Sequence, residues 1–297
     1  MKVLSIGDEV VPGRYRLHSR FQKAVNFNDG ERLVALVTLE IGAGPLNLVL
    51  DRLPADPPPS LDISDDGTIW LGHRALDLDA ARRYDSSLPG RGELAGLRTN
   101  LPVLEARLKL KSPPESIAFL LEESRLQAFT GFAAAFACHA AAAVEQILTG
   151  DLTAGVTALK GCGPGLTPSG DDFLAGLLLA LNVRLEQCPA PERAGLRGAI
   201  QSVHRAALGG NLLSNAFLGL AERGRVASRT KALIRALGAG DAASVEAAAD
   251  ASLLLGATSG ADLGVGLYLG LARAPRFAPS GFAADEPTKI SRYRVEK

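Results

Sequence analysis

Within the stretch GCGPGLTPSGDDFLAGLLLAL (Gly161–Leu181), Thr167, Ser169, Asp171 and Asp172 crowd hydroxyls and carboxylates into one short segment. Gly163, Gly165 and Gly170 are interspersed with them. A glycine-rich loop that runs into a helix start can aim backbone N–H groups at a phosphate or carboxylate. Two neighbouring carboxylates would repel that anion unless an amide, an ammonium group or a metal ion stands between. Asp171 and Asp172 are therefore read as the candidate catalytic pair, orienting a substrate amide or sharing a Mg2+ that bridges to the anion. Lys160, just before the loop, is placed to neutralise a phosphate. The segment is not a P-loop, because the G-x-x-x-x-G-K-[ST] pattern is absent.

A purely local explanation is also open. Thr167 followed by Pro168 makes a good N-cap and first helical residue. Ser169 with Asp172 three residues later has the spacing of a capping box. Either cap would contribute about 1 kcal/mol, and a carboxylate suits the positive end of a helix dipole. One hydroxyl or carboxylate suffices for that purpose, whereas Gly170 within the first turn costs up to about 1 kcal/mol relative to Ala. The helix that follows, FLAGLLLAL, is apolar on every side and so belongs in a core. Its start must then open inside the protein or at the floor of a cleft, where carboxylates need donors or cations as partners.

The pattern occurs twice. SGDDFLAGLLLAL (Ser169–Leu181) aligns without gaps on SGADLGVGLYLGL (Ser259–Leu271), about ninety residues further on. Ser259, Gly260 and Asp262 thus repeat Ser169, Gly170 and Asp172, and the two helices are expected to pair across a pseudo-twofold. Gathered together, Asp171, Asp172 and Asp262 could form the Mg2+ site of a metal-dependent hydrolase, which is the alternative chemistry. A third reading is a non-catalytic scaffold in which every motif is a cap or a notch for a neighbouring helix. Asn211, Ser214 and Asn215, in GNLLSNAF, suit helix capping and also offer donors that could complete a ligand site. His139 and His204 read as packed or surface residues of helices. Cys162 sits in the glycine loop with no His beside it in sequence, although a helix start can lower a thiol pKa.

The elements that must position these residues are of two kinds. Up to about residue 75, KAVNF, LVALVTL, LNLVL and TIWLG read as short strands, separated by NDGE, GAGP and ISDDG turns. FNDGERLVALV reads as a hairpin with Asp-Gly at a tight primed turn, and PADPPPS as a loop. From about residue 100 the spacing turns helical, with helices expected over 101–110, 115–148, 170–186, 192–208, 212–223, 231–237, 244–255 and 260–273. The expected fold is α+β. A small, barrel-like N-terminal β domain (1–98) precedes a larger helical domain (99–275) carrying both Ser-Gly-x-Asp motifs, and 276–297 form a mobile tail.

Composition narrows the function classes. The 297 residues are 47% hydrophobic and 22% charged, the signature of a folded chain. Lys+Arg and Asp+Glu are 32 each and aromatics only 5%, so neither nucleic acid nor an anionic membrane is an expected partner. Cys138, Cys162 and Cys188 form no C-x-x-C pair, which argues against a disulfide framework or zinc site. Asp8 and Glu9 interrupt the N-terminus before an apolar signal region can form, and no long apolar window is free of charge. A cytoplasmic location is the expectation.

GPGLTPSGDDFLAGLLLAL and the later TSGADLGVGLYLGL resemble a bacterial family that includes the AllH subunit of oxamate carbamoyltransferase. The β texture of the N-terminal part and LLSNAFLGLAERG also fit, so the resemblance spans most of the chain. It implies a part in allantoin catabolism and in the transfer of a carbamoyl group between phosphate and oxamate. Carbamoyl phosphate and oxamate give oxalurate and phosphate, and the reverse. It also implies small anionic ligands, partner subunits of a multisubunit assembly, and a site built from Gly163, Gly165, Thr167, Ser169, Gly170, Asp171, Asp172, Ser259, Gly260 and Asp262. The family pattern has hydroxyl residues before Ser214, where this chain has Asn211, with Asn215 following.

Overall fold

The computed structural model describes residues 1–273; the tail expected over 276–297 lies outside the described residues. The chain forms two compact units, Met1–Leu88 with Arg225–Lys231, and Pro89–Gly224 with the described residues from Ala232.

The first unit is a curled half-barrel sheet of β1 (Val3–Gly7), β2 (Gly13–Arg20), β3 (Ala24–Asn28), β4 (Leu33–Thr38), β5 (Asn47–Leu50), β6 (Ser60–Ile63), β7 (Ile69–Leu71), β8 (Arg74–Ala75) and β9 (Arg82–Tyr84). The strand order is β8-β7-β6-β2-β3-β4-β5-β1-β9, with β4–β5 and β1–β9 parallel and the other pairs antiparallel. Strand β4 is apolar from Leu33 to Val37, as suits a strand covered on both faces. Val34 and Leu36 join Tyr15, Phe27, Leu48 and Leu61 on one side, while Ala35 and Val37 join Val49 on the other. The β3–β4 hairpin forms as expected, but its turn is longer than a two-residue primed turn. Asp29–Arg32 span it, with Gly30 at φ 103° and Asp29 Oδ1 accepting from Glu31 N (3.0 Å) and Arg32 N (2.7 Å). Arg225–Lys231 join this unit through Val226 N to Ser86 O (2.9 Å), Tyr84 Oη to Val226 O (3.0 Å) and Lys231 Nζ to Asp85 O (2.7 Å).

The second unit is helical: α1 (Leu97–Lys111), α2 (Gly131–Thr149), α3 (Leu152–Leu159), α4 (Ser169–Gln187), α5 (Ala190–Ala207), α6 (Leu212–Glu222), α8 (Ala242–Leu253) and α9 (Ser259–Ala272), with α7 (Ser228–Ala239) beginning at the end of Arg225–Lys231. The single helix expected over 115–148 is instead two 3-10 segments, Ile117–Leu120 and Glu123–Ala128, followed by α2. Within that stretch the Arg125 guanidinium turns back to the carbonyls of Lys109, Ser112 and Pro113 at 2.9, 3.0 and 3.2 Å. Helix α3 lies between the helices expected over 115–148 and 170–186, where the sequence reading placed none. By length and composition α2 is apolar enough to cross a bilayer.

Helix α4 is the centre of this unit, buried without interruption from Ser169 to Leu181. It lies beside α9 so closely that each helix needs glycine at the contact. A Cβ on Gly176 would sit 2.0 Å from Leu263 O, and one on Gly266 would sit 2.0 Å from Phe173 O. The contacts run in register, Gly176 with Leu263 and Gly270 with Ala180, so the helices are parallel and start at the same end. The pseudo-twofold expected from the repeated sequence is thus present in three dimensions.

Candidate functional site

The two helix starts are built alike. Each follows a helix whose N-cap is an aspartate: Asp151 Oδ1 accepts Ala154 N (3.4 Å) on α3, and Asp241 Oδ1 accepts Ser244 N (2.8 Å) on α8. Gly170 then lies against Leu159 O, and Gly260 against Ser252 O, at 2.0 and 2.2 Å from where a Cβ would stand. A larger residue at either place would push the preceding helix away.

Neither expected side-chain cap forms. The cap of α4 is the carbonyl of Pro168, which accepts Asp171 N (2.9 Å) and Asp172 N (3.1 Å), and Gly170 N goes to Cys162 O (2.8 Å). On α9, Gly260 N goes to Leu255 O and Asp262 N to Thr258 O, both at 2.9 Å. The side chains are thereby released for one another. Thr167 Oγ1 donates to Asp172 Oδ2 (3.0 Å) and meets Ser259 Oγ at 3.2 Å, joining the first start to the second. Asp171 Oδ1 accepts Gly161 N (2.7 Å) and so pins the glycine loop. Asp262 Oδ1 accepts Ile117 N (2.7 Å), while its Oδ2 and the Ser169 hydroxyl have no partner in hydrogen-bond geometry.

Burial dominates the electrostatics. Asp171, Asp172 and Asp262 are 6%, 8% and 0% exposed. Desolvation pushes the Asp172 carboxyl up to about 7, with the negative charges of Asp262 and Asp171 adding to the rise and the hydroxyls of Ser259 and Thr167 opposing it. Desolvation likewise lifts Asp262 to about 6, opposed by the Ile117 N–H and by the nearby hydroxyls of Thr258 and Ser169. A carboxyl near neutrality exists in both protonation states and can give or take a proton at working pH.

The glycine loop closes over the start of α4. Gly163 (φ 109°) approaches Ser169 N, and Gly165 has φ 101°. Asn211 caps α6, its Oδ1 accepting Ser214 N (3.2 Å), and its Nδ2 donates to Leu166 O (2.6 Å), which places α6 beside the loop. Asn215 faces the other way, bonded to the N–H and C=O of Gly209 at 3.0 and 2.8 Å, and the buried Ser214 hydroxyl has no partner. Lys160 Nζ donates to Leu208 O (3.1 Å).

Two expectations need correction. Among the described residues no three His, Cys, Asp or Glu side chains are grouped to hold a metal, because Asp171 turns to the glycine loop and Asp262 to Ile117. The Mg2+ set of Asp171, Asp172 and Asp262 is therefore not formed. The Cys162 thiol is pushed up, not down, by burial and by Asp171, so the helix start does not activate it. His139, not adjacent in sequence, shares a carbonyl with it, since Ala158 O contacts His139 Nε2 at 2.8 Å and Cys162 Sγ at 3.2 Å.

Thr258 and Ile117 were missed. Thr258 carried a signal, as a hydroxyl just before the second Ser-Gly-x-Asp. Ile117 carried none, being 145 residues from the carboxylate that its N–H binds.

Residues 159–271 match the family model for oxamate carbamoyltransferase subunit AllH, the family that the glycine-loop motif resembles. The match covers part of the helical region and not the N-terminal sheet, so it is narrower than the motifs suggested. Neither the curated proteins nor the solved structures supply a match.

Proposed function

We propose that the chain supplies the acceptor-handling site of a cytoplasmic carbamoyl-transferring assembly, with Asp172 as its working carboxyl. The observation that carries this reading is the meeting of two helix starts, within the family-matched region, around a buried carboxyl poised near neutral pH. In the synthetic direction the amide nitrogen of an oxamate-like acceptor attacks the carbonyl carbon of carbamoyl phosphate. A C–N bond forms, the C–O bond to phosphate breaks, and phosphate leaves with that bond's electron pair. The amide proton passes to ionised Asp172, which returns it when the reaction runs backward. Asp171 holds the glycine loop through Gly161 N, so that the backbone at Gly163 and Gly165, with Asn211 behind it, faces the anionic phosphate. Ser169, Ser214, Asn215, Ser259, Gly260 and Asp262 shape the surroundings of that site.

The test is calorimetric titration of carbamoyl phosphate into the full chain, with and without Mg2+, beside an Asp172→Asn control. Saturable heat that the variant loses supports the assignment, and dependence on Mg2+ would add a cation supplied with the substrate. Equal binding by the variant removes Asp172 from the site. One observation favours a structural reading instead: the N–H groups of Gly170, Asp171 and Asp172 already have carbonyl partners. Absence of heat under every condition, in the chain and in the reconstituted assembly, would establish that reading.

A further inference from the structure

We infer that Ser259 and Asp262, on α9, are positioning residues for Asp172 on α4: the second helix start governs the proton carried by the first. The geometry is a chain of hydroxyls. Thr167 gives its single proton to Asp172 Oδ2, so in its 3.2 Å contact with Ser259 it can only accept. The chain therefore runs Ser259 to Thr167 to Asp172 while the carboxyl is ionised. It can reverse, with Asp172 donating to Thr167 and Thr167 to Ser259, once Asp172 holds a proton. Asp262 stands on the equivalent turn of the parallel helix, wholly buried, with one oxygen on Ile117 N and the hydroxyls of Thr258 and Ser169 nearby. A negative charge there repels one on Asp172. The surroundings hold few other ionisable groups. Asp171 lies on α4 itself, and the Cys162 thiol beyond α3 feels Asp171. The segment Ile117–Leu120, helix α3 and the first turn of α6 (212–215) contain no ionisable side chain. His204 of α5 lies beside Gly219 in the middle of α6, and Glu105 of α1 binds Tyr268 far along α9.

The two partners act in opposite senses, which makes the inference testable apart from any loss of fold. Removing the Ser259 hydroxyl takes away a donor that favours the charged form, so the Asp172 titration moves up. Neutralising Asp262 takes away a repelling charge, so it moves down. The experiment is a pH titration of the full chain, labelled with carbon-13 at the aspartate carboxyl carbon and followed by NMR from pH 5 to 9. Asp172→Asn assigns the resonance, and Ser259→Ala, Ser259→Thr and Asp262→Asn are compared with the parent chain. Expected are midpoint shifts on the order of half to one pH unit, upward in Ser259→Ala and downward in Asp262→Asn, with Ser259→Thr unchanged. Midpoints that do not move, or that move the same way in both, overturn the inference. Should Ser259→Ala fail to fold, the sign of the Asp262→Asn shift decides. The inference rests on Asp172 being the working carboxyl, but the titration needs no substrate. Failure to bind carbamoyl phosphate would therefore remove the proposed function and leave the coupling standing.

Discussion

Replacing Asp172 by Asn should change how stability depends on pH, and the structure gives both sign and size. The folded chain lifts this carboxyl from its ordinary 3.8 to about 7. Between those values the folded state holds a proton that the unfolded state has lost, so stability falls as pH rises through the window. Above about pH 7 the penalty is complete, and at ~1.36 kcal/mol per pH unit it amounts to about 4 kcal/mol. From pH 5.5 to 8 the parent chain should lose about 2 kcal/mol through this group alone. Asn fills the same space, can still accept from Thr167, and never ionises. The variant should therefore gain on the parent as pH rises, by about 2 kcal/mol over that range, or roughly 4–8 °C in melting temperature for a domain of this size. Asp262, lifted in the same direction, is present in both proteins and largely cancels from the comparison. The assay is thermal unfolding of both proteins at matched ionic strength across pH 5.5 to 8. Melting curves that stay parallel over this range would show that Asp172 does not carry its charge into the core.

Glycine substitutions should split by site. Gly176→Ala and Gly266→Ala would each drive a methyl into the backbone of the facing helix and should cost about 3 kcal/mol, read as a lower denaturation midpoint. Gly198→Ala, inside α5 with open space around it, should add about 0.5–1 kcal/mol in the same assay. Asn100→Ala should cost about 2 kcal/mol, because Asn100 Nδ2 donates to Leu237 O and Gly240 O, both at 3.0 Å, at the end of α7. Little change on unfolding in urea would mean that water replaces the amide there.

The sequence by itself determined the two central helices almost to the residue. Expected over 170–186 and 260–273, they run Ser169–Gln187 and Ser259–Ala272, because their apolar runs and Ser-Gly starts are local signals. The likeness of the two starts, and the glycines that let them meet, were equally legible, since repetition is a property of the string. The strands of KAVNF, LVALVTL, LNLVL and TIWLG were read for the same reason, while β1, β2, β6, β8 and β9, which lack such apolar runs or are only two to five residues long, were not singled out. What only the tertiary structure decided was which partner each polar group takes. Ser169 and Thr167 looked like caps, but a carbonyl from Pro168 does that work, and Thr167 turns to a carboxylate and to Ser259 ninety-two residues away. The Mg2+ set failed for the same cause, as Asp171 and Asp262 found N–H partners in the glycine loop and at Ile117. A helix is set by neighbours within four residues. A hydrogen-bond partner and the cost of burying a charge are set by whatever the rest of the chain brings alongside.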